Sequence, residues 1–403
     1  MAAISHASAS VTTQFTTTSA TYVDVTAASI ADTSLTAGNQ YLVLCIAQLG
    51  GSGNGILRAL QVVHGSTAFA QSEMDVRQGA EAFASFGWFT VWTAAASESL
   101  KVQAKADGVN TTRVDNLLLF AMDLDSLTEN TDWAFNERTN DDGLSTTPTD
   151  GGSITITPAA GDWLVLTSAQ YDMGDNSTQA VGVLDRSGEA TSTTPSARLE
   201  ATSTSDIWQM FMSRVFTVTA ASNTFKEISS ATSGTAHVRL NSAVFILNLE
   251  KFAANSFAFT AGDTSLNTTD FGDNIQTLSI TPTVTGNVLA VGTWSFDCQN
   301  LSRTAKFRLQ VDNADDPTGQ TTDTYNYSCR DSADERPFAI GTLSSQSNSA
   351  KTYDLDASVS STTSTPAAQD RSLWAFSMEL AGGGGGTSVK DIIGFNGIIV
   401  FAR

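Results

Sequence analysis

Apolar and polar residues alternate in short runs along the chain: Tyr22-Val23-Asp24-Val25, Ser153-Ile154-Thr155-Ile156-Thr157 and Thr277-Leu278-Ser279-Ile280-Thr281. A period of two predicts strands with one face on a core and the other, mostly Thr and Ser, in water. A more apolar class reads Leu119-Phe120-Ala121-Met122-Asp123-Leu124, Val244-Phe245-Ile246-Leu247-Asn248-Leu249 and Ala375-Phe376-Ser377-Met378-Glu379-Leu380. In the first of these Phe120, Met122 and Leu124 alternate with Ala121 and Asp123, which again predicts one buried face. Clusters of Gly, Asn and Asp punctuate the runs at short intervals, and no helical stripe interrupts them.

The same segments return in the same order. Gly38-Asn39-Gln40-Tyr41-Leu42-Val43-Leu44, Gly161-Asp162-Trp163-Leu164-Val165-Leu166 and Gly286-Asn287-Val288-Leu289-Ala290-Val291 share one pattern. Aligned on Leu44, Leu166 and Val291, they stand 122 and 125 residues apart. The apolar segments ending at Leu124, Leu249 and Leu380 stand 125 and 131 apart. A further match links Phe89-Thr90-Val91-Trp92-Thr93-Ala94-Ala95 to Phe216-Thr217-Val218-Thr219-Ala220-Ala221. A repeat of this length whose elements are all strands predicts an all-β chain of three tandem antiparallel β-sandwich, jelly-roll-like domains. The expected divisions are 1–127, 128–252 and 253–381, joined tightly into an elongated or compact trefoil body.

After Leu380 the composition changes. Gly382 to Gly386 are consecutive glycines, a flexible tether. Beyond them Asn396-Gly397 separates two apolar runs, the strongest short hairpin signal. The expected arm, 382–403, is apolar on both faces and needs a cover. It either folds back on the third unit or adds strands to a neighbouring chain, and the tether favours the second. The candidate partner-binding residues are Ile392, Ile393, Phe395, Ile398, Ile399, Val400, Phe401 and Arg403.

Composition narrows the function. The 403 residues carry 21 Lys and Arg against 41 Asp and Glu, a net charge of −20 with no basic run. Such a chain is a poor ligand for nucleic acid and for anionic membranes. No apolar stretch approaches a bilayer span, and the first residues lack the basic and apolar regions of a secretory leader. Ser and Thr make up about a quarter of the residues, well above average usage. Three scattered cysteines, Cys45, Cys298 and Cys329, suit neither a disulfide framework nor a zinc site.

Candidate chemistry is sparse. His6, His64 and His237 fall at different points of different units, with no metal-binding spacing. No Gly-X-Ser-X-Gly elbow or phosphate-cradling loop occurs. The acidic clusters Asp312/Asp315/Asp316 and Asp141/Asp142 read as solvated turns ahead of calcium loops. Trp88, Trp92, Trp208, Trp294 and Trp374 are candidates for a sugar-stacking platform, although Trp163 and Trp374 sit in repeat-defining strands and suit a core. The chain is therefore expected to have no catalytic site, cofactor or metal.

The opening Thr16-Thr17-Thr18-Ser19-Ala20-Thr21-Tyr22-Val23-Asp24-Val25, followed by Leu35-Thr36-Ala37-Gly38-Asn39-Gln40-Tyr41-Leu42-Val43-Leu44, resembles modules of bacteriophage virion proteins. The resemblance covers the first unit best and the others through the repeat. It implies an exterior structural protein of head or tail, made in the host cytoplasm and located in the virion. Its partners would be other virion proteins and copies of itself. A tail fibre or receptor-binding adhesin recognising host glycans is the alternative.

Overall fold

A computed structural model describes residues 2–381 apart from 12, 54, 71, 79–82, 174–178, 188–194, 201–205, 234–235, 240–241, 270, 272, 298–303, 313, 316–326, 329–334 and 360–365. The chain is all-β, with short 3₁₀ turns at Asp32–Ser34 and Leu249–Lys251.

Eight principal strands make the first sandwich: β1 (His6–Val11), β2 (Val23–Ile30), β3 (Gln40–Gly51), β4 (Ile56–His64), β5 (Met74–Gln78), β6 (Ala84–Thr93), β7 (Leu100–Lys105) and β8 (Thr112–Asp123). The second has β9 (Trp133–Glu137), β10 (Thr149–Ile156), β11 (Gly161–Met173), β12 (Gln179–Arg186), β13 (Ser196–Glu200), β14 (Ile207–Val218), β15 (Asn223–Ser233) and β16 (Ala243–Asn248). The third has β17 (Asn255–Ser265), β18 (Asp273–Ile280), β19 (Gly286–Asp297), β20 (Thr304–Val311), β21 (Ala314–Asp315), β22 (Glu335–Gln346), β23 (Lys351–Val359) and β24 (Ala367–Ser377).

Each sandwich pairs its strands alike. The inner sheets run β1-β8-β3-β6, β9-β16-β11-β14 and β17-β24-β19-β22; the outer sheets run β2-β7-β4-β5, β10-β15-β12-β13 and β18-β23-β20-β21. With strands lettered B to I, this is the B-I-D-G and C-H-E-F order of a jelly roll, three times over. A bridge between Asp75 and Ile207 joins the first outer sheet to the second inner sheet.

The inner sheets are buried on both faces. On β3, Tyr41, Val43, Cys45, Ala47 and Leu49 point between the sheets of the first sandwich. Leu42, Leu44 and Ile46 point the other way, into a seam shared with Leu164, Leu166, Phe245, Leu289, Val291 and Trp374 of the other two sandwiches. The middle of the molecule is this seam. Strands β6, β14 and β22 each touch the other two there, so the sandwiches stand threefold around a common core. The one buried face expected for Phe120/Met122 is therefore half of what occurs: Leu119 and Ala121 line the sandwich interior while Phe120 and Met122 enter the seam. Burial on both sides explains why these segments read as nearly continuous apolar runs. The outer sheets keep the simpler alternation, as in β10, where Ile154 is buried and Ser153 and Thr155 are exposed.

Register corrects one repeat match. Phe89 pairs with Leu44 and enters the seam, whereas Phe216 pairs with Trp163 and packs inside the second sandwich. The two phenylalanines belong to corresponding strands but to opposite faces, because an odd shift in register reverses the side a residue points to. The third sandwich shows an even shift. Leu42 faces Met122 and Leu164 faces Leu247, but Leu289 faces Phe376 rather than Met378. An even shift keeps Phe376 on the seam side.

Candidate interaction site

The two crossings between sandwiches, and both ends of the described chain, converge at one end of the body, here called the foot. Ile4 N donates to Met378 O (2.7 Å) and Leu380 N to Ala2 O (2.9 Å). Ala3 forms a β-bridge with Glu379, and Phe252 forms one with Leu380. Ala253 N donates to Glu379 O (2.7 Å) and Ala381 N to Lys251 O (2.8 Å). The Lys251 ammonium lies 2.9 Å from Asp132 Oδ1, which ties the second crossing to the first. His6 Nδ1 donates to Ile4 O (2.8 Å), leaving Nε2 to accept from Asn287 Nδ2 (2.8 Å) of the third sandwich. The first residues thus close noncovalently a ring that the two crossings close by covalent bonds.

Polar contacts fix the sandwiches around the seam. Gln48 Nε2 donates to Ala339 O (3.1 Å), and Ala339 N donates to Ser85 Oγ (3.0 Å). Trp374 Nε1 donates to Ser213 Oγ (2.9 Å), which also lies 2.8 Å from Thr293 Oγ1. Gln170 Nε2 and Gln209 Nε2 both donate to Glu73 O. The Arg214 guanidinium stacks 4.3 Å from the Phe216 ring and 4.4 Å from the Phe259 ring, and that of Arg336 4.3 Å from the Trp208 ring, joining the second sandwich to the third. The buried Arg336–Trp208 contact stabilises by about 2 kcal/mol, and the half-buried Arg214 contacts by about 1 kcal/mol each. Asp370, in a β-bulge at positive φ, accepts from Ser196 N and Oγ across the same boundary. Where Gly87 of β6 crosses β14, a Cβ would lie 2.5 Å from the Phe211 Cβ, so glycine allows this approach.

Most of the described sheet edges are covered or interrupted. β9 lies beside β6 through the Phe135–Phe89 contact, and β17 lies beside β14 through Phe259 and Arg214. β5 bridges to β14, and β13 packs on β22. The outer edge strands β2, β10 and β18 each carry a register break, after Asp24, Asp150 and Asn274. A bulge twists an edge away from further pairing. Among the described residues the exposed large apolar side chains are Val109 and Val284.

Two carboxyls, the buried Glu227 and the half-buried Asp75, have raised pKa values. Glu227 lies between the sheets of the second sandwich, where Tyr171 Oη donates to it at 3.0 Å and Ser229 Oγ also donates. Burial pushes its pKa up to about 6, against the lowering influence of those two hydroxyls and Arg138. Burial also pushes Asp75 up to about 6, opposed by Arg77 and Lys105 and assisted by Glu73 and Asp206. Cys45 is buried without a disulfide, and burial raises its thiol pKa. Glu227 and Asp75 serve different sandwiches and do not form a carboxylate pair.

The candidates from sequence fall out as follows. The arm residues Ile392, Ile393, Phe395, Ile398, Ile399, Val400, Phe401 and Arg403, with the glycine tether, lie outside the described residues, as do Cys298, Cys329 and Asp316. Asp141 and Asp142 pair with Arg239 and Arg138, and Asp312 with Lys351. His64 meets Glu98 at 3.0 Å. Trp88, Trp208, Trp294 and Trp374 are buried, and Trp92 is half-buried, so they do not form an exposed platform. Among the described residues no cluster of His, Cys, Asp or Glu is placed to hold a metal, and no helix is long and apolar enough to cross a membrane. Sequence reading missed the seam itself; its signal was the run Leu42–Leu49, which is too apolar for a strand with a wet face.

No protein-family profile and no curated protein matches this sequence. Solved structures do. The triple jelly roll protein of an archaeal virus turret assembly is 12% identical, with 87% of this chain and 83% of that chain covered and a TM-score of 0.22. A chain of the lipid-containing bacteriophage PM2 is 9% identical, covering 85% of this chain and 97% of its own, with a TM-score of 0.18. The Eiger TNF of S. frugiperda is 13% identical over 29% of this chain and 93% of its own, with a TM-score of 0.22. Chains of two viruses are among the solved structures with which this chain aligns. The strand order given above, and not these scores, establishes the jelly rolls.

Proposed function

We propose that the chain is a non-enzymatic structural protein of a bacteriophage particle, an exterior head decoration or fibre held by its C-terminal arm. The observation that carries this reading is the closed surface of the body. Its inner sheets bury one another, most of its described sheet edges are covered or bulged, and its described surface shows no extended apolar patch. The apolar runs of 389–401 are then the adhesive element of the chain, and strand addition to a partner sheet satisfies their backbone and apolar groups together. An acidic surface opposes self-association of the finished particle. The division into domains at 127, 252 and 381 belongs to the same proposal. Glycan recognition is the weaker reading, since the candidate tryptophans are mostly in cores.

Mass spectrometry of purified particles, with copy number per major capsid subunit, tests the location. Hundreds of copies are expected for a head decoration, and about a dozen for a fibre or tail component. Deletion of 382–403 is expected to leave a soluble folded chain that no longer joins the particle. Normal assembly of the truncated chain would refute attachment through the arm.

A further inference from the structure

We infer that the junction between the first and second sandwiches is a proton-controlled latch, closed while the Asp75 carboxyl is neutral and loosened when it ionises. The two sandwiches meet there through one β-bridge, Asp75 to Ile207, and through Gln170 Nε2 and Gln209 Nε2, which both donate to Glu73 O. Asp75 stands on the outward face of β5, since its neighbours Met74 and Val76 point into the first sandwich. Its Oδ1 is buried and accepts no hydrogen bond from the described residues. Burying an ionised oxygen in that state is costly, and a neutral carboxyl escapes most of the cost.

Among the described residues no cation pairs with Asp75. Glu73 and Arg77 share its face of β5, and Arg77 Nη1 lies 3.4 Å from Oδ1 of the fully buried Asp206, just before β14. Lys105 of β7 lies beyond Ala59 in the same row and reaches Glu73 Oε1 at 3.3 Å. Tyr22 Oη donates to the same Glu73 oxygen, and the Lys105 ammonium sits 4.4 Å from the Tyr22 ring centroid. On β4, Arg58 stands opposite Val76, on the other face, and donates to Gly51 O and Gly53 O. On β11, Asp172 follows Ile207 in the row and pairs with Arg239. Three carboxyls, Glu73, Asp75 and Asp206, thus crowd the junction, and its two near cations contact the other two. Burial, assisted by Glu73 and Asp206, pushes the Asp75 pKa up to about 6 against the pull of Arg77 and Lys105. Once the bridge opens to water, the carboxyl returns to its ordinary 3.8. The closed junction holds the proton more tightly than the open one. Closure is therefore favoured in acid and weakens as pH rises from about 4 through 6.

Hydrogen–deuterium exchange of the full chain, read by mass spectrometry, tests the latch. Peptides covering 74–78 and 206–210 are compared between the parent and Asp75→Asn, which keeps the side chain neutral. Comparison at matched pH cancels the chemistry of exchange itself. The parent is expected to exchange faster, with an excess over Asp75→Asn that grows about tenfold between about pH 5 and about pH 8, as pKa values of about 6 closed and 3.8 open require. An excess that changes by less than about threefold over that range overturns the latch. If Asp75→Asn fails to fold, the parent alone decides: its junction peptides should show the same growth relative to those of β15 and β19 in the same sample. Equal growth in β15, which carries Glu227, assigns the effect to that carboxyl and overturns the proposal, as does no growth at all.

Discussion

Replacing Phe89 by alanine should weaken the whole body, not one sandwich. Phe89 sits on β6 in the seam, 1% exposed, with ring centroids of Phe135, Phe211 and Phe245 at 6.5, 6.2 and 6.4 Å in edge-on geometry. All three partners belong to the second sandwich. Transfer of the side chain out of water is worth about 1.5–3 kcal/mol. The cavity and the lost edge-to-face contacts raise the expected cost to about 3–5 kcal/mol. Urea unfolding followed by tryptophan fluorescence measures it, with Val109→Ala as a control expected within about 0.5 kcal/mol of the parent. Because the loss falls on the boundary between sandwiches, the variant should also show a lower apparent m-value as unfolding ceases to be two-state. A cost below about 1 kcal/mol with an unchanged m-value would refute the idea that the seam couples the sandwiches.

Three further outcomes follow from other contacts. Glu227 has a folded pKa raised to about 6 from the ordinary 4.5, so its neutral form favours folding; stability should fall as pH rises from about 4.5 through 6, by roughly 2 kcal/mol in all. Glu227→Gln should flatten that part of a stability–pH curve, and an unchanged slope would count against the buried carboxyl as its source. Ser213→Ala leaves Trp374 Nε1 without its 2.9 Å acceptor and should cost about 1–3 kcal/mol by thermal or urea unfolding. Gly87→Ala places a Cβ against the base of Phe211, where no flexible end can yield, and should cost about 1–3 kcal/mol despite adding a methyl group.

How much of this was legible in the sequence differs by element. The outer strands were plain: Ile154 buried between exposed Ser153 and Thr155 is what alternation announces. The repeat also announced jelly-roll-like sandwiches, because turn residues and strand formers recurred in order. The seam was not announced. Phe120 and Ala121 are both apolar, and period-two reasoning assigns the larger one to the core and the smaller to water when only one core is assumed. The sequence does not say that a second core exists until three sheets are placed face to face. The Phe89–Phe216 match failed for a related reason. Similar strings on corresponding strands can differ by an odd register, and register is set by pairing partners hundreds of atoms away. The arm remains a reading of residues 382–403 alone, without a described surface beneath it.

The position of β24 bears on how the molecule answers force. The described chain ends just past this strand, which lies inside its sheet between β17 and β19. Antiparallel hydrogen bonds run perpendicular to the strands. Tension applied at Ala381 and directed along β24 therefore loads two ladders in shear, many bonds at once, rather than peeling them open singly. The short clasp between Ala2–Ile4 and Met378–Leu380 lies first in the path of that load. A pull on the arm should loosen this clasp as a fuse and then meet a sheet that resists as a block. A tether rooted in an edge strand would instead unzip.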